Sequence, residues 1–148
     1  MENKGYEYCL KCVNEPTCPK YVKKQMKEWL AICDGKDDTH FVSHRKMKQL
    51  YAIMKVLRMP KGLRAGQSLY DCTTGYQWLF YIATLCTVRR DNPAKRKYET
   101  CVLEIARKNF KTCTIATISH TGFSLASRCT SSPGRGSGPG LDSINVNG

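Results

Sequence analysis

Between Pro19 and Cys33, apolar side chains fall at Val22, Met26, Trp29, Leu30 and Cys33, while Lys20, Lys23, Lys24 and Lys27 fill positions between them. Steps of three and four residues put each set on its own face of an α-helix. The pattern predicts an amphipathic helix over 19–33. Pro19 suits its first turn, where an N–H has no intrahelical partner. Gly35, inside Asp34-Gly-Lys-Asp-Asp38, supplies the stop. The same period returns over 40–58. His40, His44, Met47, Tyr51 and Met54 share one face, Leu50 and Leu57 widen it, and Thr39 stands as the N-cap.

Further along, the periods are less clean. Over 68–90, Trp78, Leu79, Ile82, Leu85 and Cys86 fit a helix face, although the aromatic and β-branched content also suits a buried strand. Length favours helix. Asn92-Pro93 forms a cap and first-turn pair, and Tyr98, Cys101, Val102, Ile105 and Phe110 predict a helix over 93–110. The stretch 112–119, TCTIATIS, has strand composition. Residues 1–18 read as a loop or short hairpin, since Pro16 and Pro19 bar a helix through them. From 124 onward Ser, Gly and Pro dominate, a composition that buries too little apolar surface to offset its ordering entropy. The expected fold is mainly α. One helical domain covers 1–123, divided into a cysteine-rich lobe at 1–60 and a helical core at 61–123, and a disordered tail follows at 124–148.

Charge changes the picture next. The 148-residue chain carries 24 basic and 12 acidic side chains, a net charge of +12. Such an imbalance attracts polyanions. No apolar leader opens the sequence, and the longest apolar run, Gly75 to Val88, falls short of the ~20 residues that a membrane span needs. The expected setting is intracellular, nucleus or cytoplasm, and not secreted. Thiols stay reduced there, so nine cysteines point away from a disulfide framework.

Reduced thiols raise the question of metal. Cys9-x2-Cys12 is followed by His40-x3-His44. Zinc takes four tetrahedral N or S ligands. A tight C-x-x-C knuckle turns both sulfurs toward one ion, and two histidines four apart on a helix share a face. This ligand order resembles that of a two-cysteine, two-histidine zinc finger, and the resemblance implies a Zn2+ held by Cys9, Cys12, His40 and His44. It covers ligand spacing alone, because 27 residues separate Cys12 from His40 where a finger has about a dozen. Cys18 and Cys33 bracket the intervening helix and stand as alternate ligands.

No enzyme signature accompanies these residues. His40-Phe-Val-Ser-His44 lacks the glutamate of H-E-x-x-H, and no P-loop or G-x-S-x-G elbow is present. The chain is expected to bind rather than to catalyse. Three basic groups are the candidate nucleic-acid contacts: Lys20, Lys23, Lys24 and Lys27; Arg45, Lys46 and Lys48; and Arg89, Arg90, Lys95, Arg96 and Lys97. The last surrounds a predicted helix N-terminus, whose dipole would add to the charge. Tyr6, Tyr8 and Tyr21 are candidates to stack on unpaired bases. Lysine and arginine contact phosphate without reading sequence, so RNA or single strands are favoured over a DNA sequence. The format, small, basic and cysteine-rich with a disordered tail, is similar to that of viral accessory and regulatory proteins. The alternative is a helical adaptor whose basic face meets an acidic protein or an anionic membrane.

Overall fold

The computed structural model describes residues 2–60, 62–104 and 111–127, with the backbone alone for 111–112 and 123–127. The Asn3 side chain accepts hydrogen bonds from the N–H groups of Gly5 and Tyr6 (3.1 and 3.0 Å) and so opens helix α1, Lys4–Asn14. The loop expected at 1–18 is therefore helical through Asn14, and the helix stops before Pro16, as the proline geometry requires. Helix α2 runs Lys20–Cys33. Gly35, at φ +74°, ends it in a Schellman turn, with the Lys36 N–H on the Ala31 carbonyl (2.9 Å) and the Gly35 N–H on that of Ile32 (3.1 Å). Strand β1, His40–Val42, precedes helix α3, His44–Val56, which the Ser43 hydroxyl caps by accepting from the Lys46 N–H. A short α4, Leu69–Cys72, and α5, Gly75–Cys86, divide the next apolar stretch, which ends in β2, Thr87–Arg89. Helix α6 spans Lys111–Ser127.

Two departures from the local pattern share one cause, pairing with distant parts of the chain, and a third is a helix where composition suggests a strand. The helix expected from 40 starts at 44, because residues 40–42 join β2 antiparallel, with His40 opposite Arg89 and Val42 opposite Thr87. No helix occupies 93–104. The chain there runs back along β2, with the Lys97 N–H on the Thr87 carbonyl (3.0 Å) and the Arg89 N–H on that of Lys95 (3.1 Å). Residues 105–110, the rest of that expected helix, lie outside the described residues, as do 128–148 of the expected tail. TCTIATIS is helical, not extended. Thr114, Thr117 and Thr121 form its buried face. The Thr117 and Thr121 hydroxyls bond back to the carbonyls of Cys113 and Thr117 (2.8 and 2.6 Å), which lets a β-branched side chain sit in a helix.

The mainly helical fold expected from the sequence is the one observed, and α5 is its hub. Trp78, Tyr81, Ile82, Leu85 and Cys86 of α5 are buried against Met47, Leu50 and Met54 of α3, Trp29, Leu30 and Ile32 of α2, and Cys9 of α1. Two polar ties cross this core. The Trp29 Nε1–H donates to Thr87 Oγ1 (3.2 Å), and the Gln77 amide donates to Thr114 Oγ1 (3.0 Å). Buried donors and acceptors need such partners, so each tie also fixes the register of the elements that it joins.

Candidate nucleic-acid interface

The inner face of α2 packs through Trp29, Leu30 and Ile32, which turns Lys20, Lys24 and Lys27 outward and leaves Lys23 half-buried at the edge of that face. With Tyr21, Cys18 and Glu28 they line an open trough of about 770 Å³. No ion pair among the described residues involves these lysines. Tyr21 stands among them at 82% exposure, so its ring face is open to solvent. The other two tyrosines expected to stack are used in packing. The Tyr6 hydroxyl donates to Asp34 Oδ1 (2.9 Å), and that bond to a carboxylate raises its pKa. Tyr8 is half-buried over Gly75, where a Cβ would overlap its ring.

The other basic groups divide. Arg45 and Lys48 are exposed on α3, whereas the Lys46 ammonium donates to the Pro93 carbonyl (3.2 Å). In the dense cluster, Arg89 clamps Asp91 through two bonds of 2.9 and 2.8 Å. Arg90 donates to the Asp37 carbonyl (3.2 Å) and lies 5.7 Å from the Phe41 ring centroid. Arg96 donates to the Gly122 carbonyl (3.2 Å), and Lys97 lies 5.6 Å from the ring centroid of Tyr98. Lys95 is the exposed member without such a contact among the described residues. No helix begins at 93, so the dipole expected to reinforce this cluster is missing. Arg90 and Arg96 hold the loop at 89–97 onto the fold while Arg89 braces it internally through Asp91, and α2 carries the least committed basic face.

The structure does not gather the expected zinc ligands. Cys9 and Cys12 lie within α1 rather than on a knuckle, and Cys9 is fully buried. Burial pushes its thiol up to about 12, with a further push from Cys12. Cys33, at the end of α2, is raised to about 12 by burial first and then by Cys9 and Asp34. In the absence of metal, a thiol held protonated is a poor nucleophile. His40 and His44 fall on different elements, β1 and the first residue of α3, so they share no helical face. Thr39 Oγ1 lies 2.6 Å from Asp37 Oδ1 and 2.6 Å from His40 Nδ1, so that ring nitrogen is engaged within its own loop. Cys18 lies between α1 and α2, its thiol near the Pro19 carbonyl (3.9 Å). Among the described residues no three Cys, His, Asp or Glu side chains converge as a metal site.

Two features escape sequence reading. A groove of about 510 Å³ runs between the 59–77 segment, α5 and α6, lined by Leu63, Leu69, Tyr76, Gln77, Tyr81 and Thr114 among others. Among the described residues Arg64 is the charged member of the lining, with no acidic side chain beside it. Tyr51, Tyr70 and Trp78 meet edge to face with centroids 5.1–5.5 Å apart. Each belongs to a different helix, so no linear spacing signals the cluster. Among the described residues no helix is long and apolar enough to cross a membrane. Comparison with family models, curated proteins and solved structures finds no match to this chain.

Proposed function

We propose that the chain is a small, basic, helical module that binds nucleic acid in a regulatory or accessory role. Its contact surface is the outer face of α2, and its preferred ligand is RNA or another single strand. One observation carries this reading: an open tyrosine ring beside four lysines that enter no ion pair among the described residues, in a trough where they outnumber its acidic residue, Glu28. Lysines hold the backbone phosphates, and an exposed ring offers each unpaired base a face on which to stack. A duplex keeps its bases stacked on each other and can use only the charge. Zinc has no part in this reading.

The test compares binding of a labelled oligouridine, a DNA duplex and polyglutamate by fluorescence anisotropy. The expected order is single strand first, with Tyr21→Ala weakening the single strand and leaving the duplex and polyglutamate unchanged. Equal weakening of all three, or none, would remove the stacking surface from the reading. Polyglutamate bound as tightly as oligouridine would favour the adaptor that meets an acidic protein. A second, compatible reading rests on the groove beside α6. Its size suits a small organic ligand, and its lining suits an apolar or aromatic body with an anionic group near Arg64. Anilinonaphthalene sulfonate should then brighten on binding, and Arg64→Glu should abolish the signal.

A further inference from the structure

The aromatic cluster of α3, α4 and α5 already holds a cation. The Lys4 ammonium lies 3.7 Å from the ring centroid of Tyr70 and 5.4 Å from that of Trp78. Edge-to-face contacts hold these rings at fixed angles, and a cation close above such a ring is drawn to its electron-rich face. The Tyr51 hydroxyl pins the corner by accepting from the Lys4 N–H (3.3 Å) and donating to the Glu2 carbonyl (3.1 Å). The corner opens into a cleft of about 340 Å³ whose lining includes Glu2, Glu7, Asp71 and Tyr8. Lys4 forms an ion pair with none of these carboxylates among the described residues. Trp78 is 2% exposed, and its Nε1–H is, among the described residues, the buried side-chain polar atom left without a hydrogen-bond partner.

A lysine ammonium is compact and strongly hydrated, so lying on dry rings strips part of its water. A methylated ammonium keeps the charge, holds water less tightly and adds apolar surface that the rings can cover. We propose that the Tyr70–Trp78 corner is a binding site for the methylated ammonium of a lysine side chain on a partner, filled at rest by the chain's own Lys4. Lys4 is the first residue of α1, so its side chain can swing into solvent without unwinding the helix. Once it leaves, Glu2, Glu7 and Asp71 line the cleft with Lys11, and the Lys55 ammonium of α3 lies 5.0 Å from the Tyr70 ring centroid, so among the described residues carboxylates still outnumber ammonium groups there. That balance attracts a cation on a peptide and opposes the phosphate of a choline headgroup.

The test is an NMR titration of the whole chain with Nα-acetyl-Nε-trimethyllysine amide, reading the two indole N–H resonances. The Trp78 signal should move and that of Trp29 should not. Lys4→Ala should tighten binding about tenfold if Lys4 fills the corner nine times in ten, since apparent affinity scales with the open fraction. Tyr70→Phe should retain binding and Tyr70→Leu should lose it, with circular dichroism confirming that each variant is folded. The unmethylated lysine derivative and phosphocholine should both bind more weakly. The proposal is overturned if Lys4→Ala binds no tighter than the parent, if folded Tyr70→Leu still binds, or if phosphocholine binds as well as the trimethyllysine probe.

Discussion

Neutralising the lysine face of α2 tests the nucleic-acid reading through its salt dependence. Lys20, Lys24 and Lys27 are exposed on one helix, Lys23 is half-buried beside them, and none of the four enters an ion pair among the described residues, so four phosphate contacts are the upper count for this face. On a single strand, each phosphate contact contributes about 0.7 to the fall of log affinity with log salt. Four contacts give a slope of about 2.8, or roughly a fifty-fold loss between about 50 and 200 mM salt. Replacing all four by glutamine should therefore lower the slope by about 2.8, and each single replacement by about 0.7. Glutamine and lysine have similar helix propensity, so α2 itself should persist. Anisotropy of a labelled oligouridine across a salt series measures the slope directly, and circular dichroism checks the helix. A quadruple variant that binds more weakly but with the parental slope would refute the assignment, because the lost affinity would not come from phosphate contacts.

Other expected outcomes concern the scaffold. Trp29→Phe and Thr87→Val each break the buried Trp29–Thr87 hydrogen bond, and each should destabilise by about 1–3 kcal/mol in urea unfolding. The double variant should cost about 1 kcal/mol less than the sum of the two, and strict additivity would show that the bond contributes nothing. Gly75→Ala sets a methyl into the Tyr8 ring and should cost about 1–3 kcal/mol, with a smaller penalty when Tyr8→Ala is also present. The Cys9, Cys33 and Cys86 thiols are raised by burial to about 12 from an ordinary value of 9.0. The folded chain keeps them protonated where the unfolded chain would ionise them. Their contribution to stability is thus full below pH 9 and drains away as pH rises toward about 12. Urea midpoints should fall over that window, and Cys86→Ala should fall less steeply. A parent midpoint that stays flat would contradict the burial described for these thiols.

Legibility in the sequence followed the range of the interaction that decides each element. Helix α2 is set by its own apolar period and by Gly35, both local, and its expected bounds match the structure to within a residue. The first turn expected at 40–43 is lost because β1 pairs with β2, a partner that no nearby residue announces. TCTIATIS reads as a strand by composition, but Thr114, Thr117 and Thr121 dock as one helical face, and their surroundings outweigh propensity. Cys9-x2-Cys12 keeps the spacing of a knuckle while Asn3 caps the segment into a helix, so the spacing carries no ligand geometry. For the basic residues, charge was legible and availability was not. Whether an arginine meets solvent or a carbonyl such as that of Asp37 or Gly122 depends on the folded route of the chain.

The pairing of β1 with β2 acts as a clasp. It joins Val42 to Thr87 and encloses α3, α4 and α5 in one long loop. Closing such a loop costs chain entropy that the helices inside it do not repay until they dock, so the clasp should form late in folding. When it parts, Arg90 leaves the Asp37 carbonyl and the Phe41 ring, and the Lys97 amide leaves Thr87. The opened chain presents more free cation than the closed one. A polyanion that captures those side chains would bind the open form more tightly, and amide exchange at Arg90 and Lys97 would quicken in its presence.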